Sequence, residues 1–246
     1  MKIIHSVAFF RSDASAYESE RCGVARGIFF DNYVRTLIPA HRIVWGKDAE
    51  LWVHHDERVR SLPQWEHLLA AQDAGYVKLV PCGEAVTLTG SMLWRLRPIY
   101  AEGVDWVICR DLDSLPMHRD RLMVEEAIKA GAACHVVHDS ESHSGPLMGG
   151  MVAFHAPTFR SLVPSLPSFH DLEFNNLGAD QRYLNAVIWP KLMNKTFIHQ
   201  RRSDVPYPQA MQTKRVLPQV TDLDKASNHL GGCFDVERAL AVMGLK

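Results

Sequence analysis

The chain has 246 residues, 47% hydrophobic and 22% charged, a composition ordinary for a globular protein and enough for one large domain or two small ones. Its 27 lysines and arginines against 28 aspartates and glutamates leave a formal charge of -1. The overall balance therefore gives no support to a nucleic acid or an anionic membrane as the main partner, although local basic patches are compatible with it. Five scattered cysteines without a C-x-x-C pair fit neither a disulfide framework nor a zinc knuckle, and a reducing compartment is expected.

The opening "MKIIHSVAFF" lacks a basic n-region and a small-residue cleavage site, so it reads as a first buried strand over 2–9 rather than a signal peptide. After the aperiodic "SDASAYESERCG", a helix is expected over 24–37 and a strand over 50–54. A helix over 62–73 follows, with Ser61 as N-cap, Pro63 in the first turn and Gly75 just past the end. The pattern then gives a strand over 76–80, a helix over 87–97, a strand over 104–109, a helix over 118–130 and strands over 133–137 and 150–155. A helix over 179–188 would bury Tyr183, Leu184, Val187 and Ile188, and a last strand covers 196–199. Beyond Gln200, Pro206, Pro208 and Pro218 break any helical period.

Short apolar runs alternating with amphipathic stretches predict an α/β protein with a mostly parallel central sheet flanked by helices. No repeat or linker marks a second domain, so a single domain over 1–246 is expected. No apolar stretch approaches the ~20 residues of a membrane helix. The expectation is a soluble, cytoplasmic protein; nothing in the sequence indicates its oligomeric state.

Chemistry concentrates where strands end. In an open parallel sheet, ligands bind outside the carboxyl ends of the strands, and "WVICRDLDSLP" puts Asp111 and Asp113 there. Two carboxylates at i and i+2 in a turn fixed by Pro116 repel each other unless a cation shares them, and their hard oxygens suit Mg2+ or Mn2+. A D-x-D in a surface turn is also common without any metal. In "HDSESHSGPLMGGM", His138, Asp139 and His143 follow a strand end, and Gly149 and Gly150 allow close backbone approach; a polar crossover would use the same residues. In "MLWRLRP", Arg95 and Arg97 cannot share a helix face, so one faces the crevice, where a guanidinium suits a diphosphate. Asp180 and Gln181 open the helix of "GADQRYLNAVIWP", where an aspartate also serves as a cap or first-turn residue.

Together, "MLWRLRPIYAEGVDWVICRDLDSLPMHRD" and "CHVVHDSESHSGPLMGGMVAF" resemble the nucleotide-sugar-dependent glycosyltransferases of GT-A type, closest to bacterial polysaccharide-type members with an R-D-x-D-S motif. The resemblance reaches more weakly to "LWVHHDERV", "GADQRYLNAVIWP" and "NHLGGCFD", and the first 45 residues match poorly. It implies a GT-A-like domain whose segment 200–246 folds back over the site. It also implies transfer of a sugar from a nucleoside-diphosphate sugar to a hydroxyl acceptor, with Mn2+ or Mg2+ as cofactor. Asp111 and Asp113 would hold the cation and the donor, with His229 of "SNHLGGCFD" as a further metal ligand unless it is a plain packing residue. Arg110 would touch sugar or phosphate, or pair with a neighbouring aspartate instead. The loop with His138, Asp139, Gly149 and Gly150 would line the sugar and acceptor pocket. Asp180, with Gln181 beside it, would take the acceptor's proton, with Asp139 as the competing candidate. Phe9, Phe10 and Arg11, after the first strand, stand where GT-A folds meet the nucleoside, although core packing explains the phenylalanines as well. Two rivals remain: a nucleotidyltransferase, for which "FFRSDASAYESERCG" is too acidic and glycine-poor, and a sugar-nucleotide-binding protein without turnover.

Overall fold

The computed structural model describes residues 1–10, 32–83, 88–141, 145–167, 178–202, 207–227, 230 and 234–245. Its centre is an eight-stranded sheet built from β1 (Ile3–Phe9), β2 (Ala49–His55), β3 (Lys78–Pro81), β4 (Trp106–Arg110), β5 (Cys134–His138), β6 (Met151–His155), β7 (Thr196–Gln200) and β8 (Gln212–Arg215). The spatial order is β3-β2-β1-β4-β6-β5-β7-β8. All neighbours pair in parallel except β6, which runs antiparallel to both β4 and β5. The α/β class read from the sequence is the class observed.

The helices cover both faces. They are α1 (Ile38–Val44), α2 (Trp65–Asp73), α3 (Leu88–Met92), α4 (His118–Lys129), α5 (Ala156–Leu162), α6 (Ala179–Tyr183), α7 (Trp189–Leu192) and α8 (Val236–Val242). Along β4 the period of two splits the core: Val107 and Cys109 face one layer with Trp94, Phe154, Leu184 and Ile188. Trp106 and Ile108 face the other with Met123, Val124 and Val137. Because both faces are covered, every residue of β4 and β5 is buried, which is why these strands read as continuous apolar runs. Leu223 and Leu230 of the C-terminal segment pack into the second layer. No helix among the described residues is long and apolar enough to cross a membrane.

Several boundaries differ from the sequence reading for local reasons. The first described helix is a π-helical Asn32–Leu37 that runs into α1 and continues past residue 37 to Val44. A second π segment, Leu184–Ile188, joins α6 to α7. Each leads into a proline, Pro39 or Pro190, in the first turn of the next α-helix. A proline ring excludes the carbonyl four residues back, and a widened turn relieves that clash. The extra residue also rotates the apolar stripe: Leu184 and Ile188 are buried, but Val187, expected inside, is 39% exposed.

Ser61 is not the N-cap of the second helix. Asp56 caps a 3-10 turn, Glu57–Ser61, by accepting from Val59 N at 3.1 Å, and α2 begins at Trp65. Gly75 does close it, at φ +74°. The helix expected over 87–97 divides into α3 and a 3-10 stretch, Leu93–Tyr100, that contains Pro98.

Candidate active site at the carboxyl edge of the sheet

Reversal of β6 assembles the site. β4, β5, β7 and β8 end at one edge of the sheet, and antiparallel β6 begins there, so its entry residues arrive between the ends of β4 and β5. Met151 pairs with Arg110, which places Gly150 against Asp111, the first residue past β4. A Cβ at Gly150 would stand 2.0 Å from Asp111 Oδ2 and 2.5 Å from its Cγ. Glycine is therefore what lets that carboxylate lie on the backbone of the neighbouring strand.

Arg95 joins the group from the 3-10 stretch. It is 3% exposed, with Nε donating to Met92 O at 2.9 Å, Nη1 bonded to Asp111 Oδ1, and Nη2 3.8 Å from Asp180 Oδ2. Of the two arginines in "WRLR", Arg95 is the one that reaches the aspartates; Arg97 lies over the Trp94 ring at 5.7 Å. A Cβ at Gly149 would meet Arg95 Nη2 at 2.8 Å and Asp180 Oδ2 at 3.2 Å, so both glycines of "MGGM" close on the same charged group. Burial works against the Arg95 charge, yet Asp111 and then Asp180 outweigh it and hold its pKa above the ordinary arginine value.

Asp180 occupies the first turn of α6, which starts after Gly178 in the left-handed conformation at φ +74°. Its carboxylate is buried, and burial raises its pKa above the usual aspartate value. Arg95 pulls the other way, and the negative charge of Asp111 adds to the rise. The next residue clamps the loop: the Gln181 amide spans Leu147 O at 2.8 Å and Gly149 N at 3.0 Å. Asn185, one turn later, accepts from Leu147 N at 2.8 Å and donates to Leu147 O at 3.0 Å. The sequence reading did not single out Asn185, though its i+4 spacing from Gln181 puts both amides on one helix face.

Asp113 is half-buried, two residues past Asp111 in a turn where Ser114 N donates to Asp111 O at 3.1 Å. The Asp111 side chain is 32% exposed. Among the described residues no group of three or more His, Cys, Asp and Glu side chains converges. A pair of partly exposed carboxylates still suits a hard divalent cation, because Mg2+ keeps several waters and is held by one or two carboxylates together with substrate phosphates.

Other expected residues stand elsewhere. Arg110 is buried and committed inside the chain: Nε and Nη2 grip Asp120 at 2.9 and 2.6 Å, and Nη1 donates to Cys109 O and Val152 O. The sequence had left this pairing with a neighbouring aspartate open. Asp139 is buried, with Oδ2 accepting from Arg119 Nη2 at 2.6 Å and from Leu230 N at 2.8 Å, which ties the C-terminal segment to the end of β5. The His138 ring lies 5.1 Å from the Tyr207 ring. Phe9 is 2% exposed and stacks on Tyr33 at 5.7 Å within a core cluster. Phe10 meets Trp94 edge to face at 5.8 Å. Arg11, His143 and His229 lie outside the described residues.

No family model and no curated protein sequence matches the chain. Among solved structures it is similar to S. aureus TarS 1-349, at 11% identity over 75% of this chain and 56% of that one, with a TM-score of 0.45. It is also similar to the mannosyltransferase PcManGT from Pyrobaculum calidifontis in complex with GDP-Man and Mn2+, at 14% identity over 92% and 60%, TM-score 0.44. A third is the 4-diphosphocytidyl-2C-methyl-D-erythritol synthase from Anaerococcus prevotii, at 10% identity over 82% and 90%, TM-score 0.46. The chain thus spans less than two thirds of the first two proteins. Likeness at this level decides nothing about activity, and the functional reading rests on the site.

Proposed function

We propose that the protein is a metal-dependent glycosyltransferase that moves a sugar from a nucleoside-diphosphate sugar to a hydroxyl acceptor. The observation that carries this reading is the Arg95 group: a buried guanidinium joins the aspartate that follows β4 to a second, buried aspartate, beside a pair of glycines of which Gly150 leaves no room for a side chain against Asp111.

In this reading Asp111 and Asp113 hold Mn2+ or Mg2+. Such a cation, when bound, neutralises the charge that grows on a departing diphosphate. Asp111 is fixed for that task by Gly150 and Arg95, and Arg95 supplies positive charge to the same crevice without exposure to water. Asp180 is the preferred base. Its raised pKa suits proton acceptance better than an ordinary aspartate's, and it meets Arg95 at Nη2, leaving Nη1 to Asp111. It would accept the proton of the acceptor hydroxyl while that oxygen bonds to the anomeric carbon and the bond to the diphosphate oxygen breaks. Asp139, already bonded to Arg119 and Leu230 N, fits better as an anchor for the C-terminal segment. Gln181 and Asn185 position the loop that carries Gly149 and Gly150.

A thermal-shift screen of nucleoside diphosphates and their sugars, with and without Mn2+, tests the proposal. A true ligand at 100 times its dissociation constant stabilises by ~2.7 kcal/mol. Metal-dependent stabilisation by at least one nucleotide is expected, and its absence across the common bases would sink the reading.

A further inference from the structure

A cavity opens at the same edge of the sheet, beyond β5. It has a volume of about 390 Å3 and is lined by Arg119, Asp139, Arg201, Arg215, Leu217 and Gln219, among others. Its position follows from topology: Asp139 is the residue after β5, Arg201 the residue after β7 and Arg215 the last of β8, and these three strands are parallel. Three guanidiniums face one carboxylate, which leaves two positive charges in excess. Arg119 is 4% exposed and bonded to Asp139, and its Nε has no partner among the described residues. Arg201 and Arg215 are exposed and enter no ion pair with a described residue. None of this charge is used by the Asp111 site.

Concentrating three cations around a single carboxylate in a concave site costs stability unless an anion offsets the excess. Guanidiniums match phosphate and carboxylate through paired N–H donors. The volume lies near the lower end for small-molecule sites, room for a sugar-sized group rather than a polymer. Only β6 separates β4 from β5, so this pocket begins two inter-strand spacings, about 10 Å, from the strand that carries Asp111. One acceptor molecule can span that gap.

We propose that this pocket binds an oxyanion, a phosphate or carboxylate carried by the acceptor, and so selects acidic acceptors. Its acceptor assignment rests on the glycosyltransferase reading; its anion specificity does not. The test uses the full chain without metal or nucleotide, with glucose 6-phosphate and glucuronate as probes and glucose as the neutral control. Saturable binding of at least one acidic sugar, and none of glucose, is expected, and the two probes tell phosphate from carboxylate. Both exposed arginines are then replaced in the double variant Arg201→Ala/Arg215→Ala, which should raise the dissociation constant by ~tenfold or more. Its affinity for uridine or guanosine diphosphate with Mn2+ should equal that of wild type. No binding of either acidic sugar, or equal binding by the variant, overturns the proposal. A parallel loss of nucleotide affinity also overturns it, by making this the donor pocket. Anion binding intact in a protein that binds no nucleotide under any metal condition would overturn the acceptor assignment alone.

Discussion

Gly150→Ala is the smallest change that separates an organised charge site from a surface turn. The added Cβ would fall 2.0 Å from Asp111 Oδ2, 2.5 Å from Cγ and 2.8 Å from Oδ1, so the carboxylate must leave its place. Gly150 is not among the positive-φ glycines, and alanine therefore brings steric conflict without backbone strain. Displacing Asp111 breaks its bond to buried Arg95, and hydrogen bonds to charged groups contribute ~1.5–3 kcal/mol. Two effects soften the loss: Asp180 remains 3.8 Å from Arg95, and Asp111, 32% exposed, regains water. A destabilisation of ~2 kcal/mol is expected, and for a chain of this size that lowers Tm by roughly 4–8 °C. Calorimetric titration should at the same time show Mn2+-dependent nucleotide affinity reduced at least ~tenfold, about 1.4 kcal/mol. Gly149→Ala conflicts with the far end of the Arg95 side chain and should be milder in both measures. Unchanged melting and unchanged metal-dependent affinity in Gly150→Ala would refute the geometry on which the site rests.

Asp113→Asn should keep the Tm of the ligand-free protein within about 1 °C but abolish the extra shift on adding Mn2+ with nucleotide; a retained shift in the melting curve would remove Asp113 from the proposed metal site. Burial raises the Asp180 pKa in the folded state, so its contribution to stability is fully present below the unfolded value of 3.8 and is lost as pH rises through the folded value. Asp180→Asn should accordingly gain on wild type as pH rises from acid to neutral, while sparing donor binding and slowing transfer; stability lost together with activity would mark a first-turn role instead. Arg110→Lys gives up the two-point grip on Asp120 and should cost ~3 kcal/mol or more in urea unfolding, with little change in nucleotide affinity once folded. A folding-neutral Arg110→Lys that loses nucleotide would return Arg110 to the ligand.

The strands were legible because a sheet covered on both faces makes each strand a contiguous apolar run bounded by turns. β8 was not: "QTKR" is exposed at every position, and its pairing with β7 leaves no hydrophobic trace. Helices α5 and α8, seven residues each, are too short to show a period. Val187 was misjudged because a π turn is invisible to a 3.6-residue count. At the site, Asp111, Asp180 and the glycine pair could be picked out by residue type and by position after strands. Their joining through Arg95 could not, since that depends on how the 3-10 stretch, the end of β4 and α6 meet in space; only the glycine pair is brought in by β6 running back between β4 and β5. The Arg119 pairing with Asp139, and the arginines after β7 and β8, are likewise products of strand order. Two arginines directly after a buried strand, "IHQRR", were the available signal for a basic pocket.

The central claim is that Asp111 and Asp113 hold a divalent cation against a nucleoside diphosphate. Its most direct measurement is calorimetric titration of the best nucleoside diphosphate from the thermal-shift screen into wild type, in Mn2+ and again in excess chelator, repeated with Asp111→Asn in Mn2+. The account predicts the highest affinity in the first titration, with affinity reduced by ~tenfold or more in the other two. Equal affinity in chelator, or in Asp111→Asn with Mn2+, would contradict it.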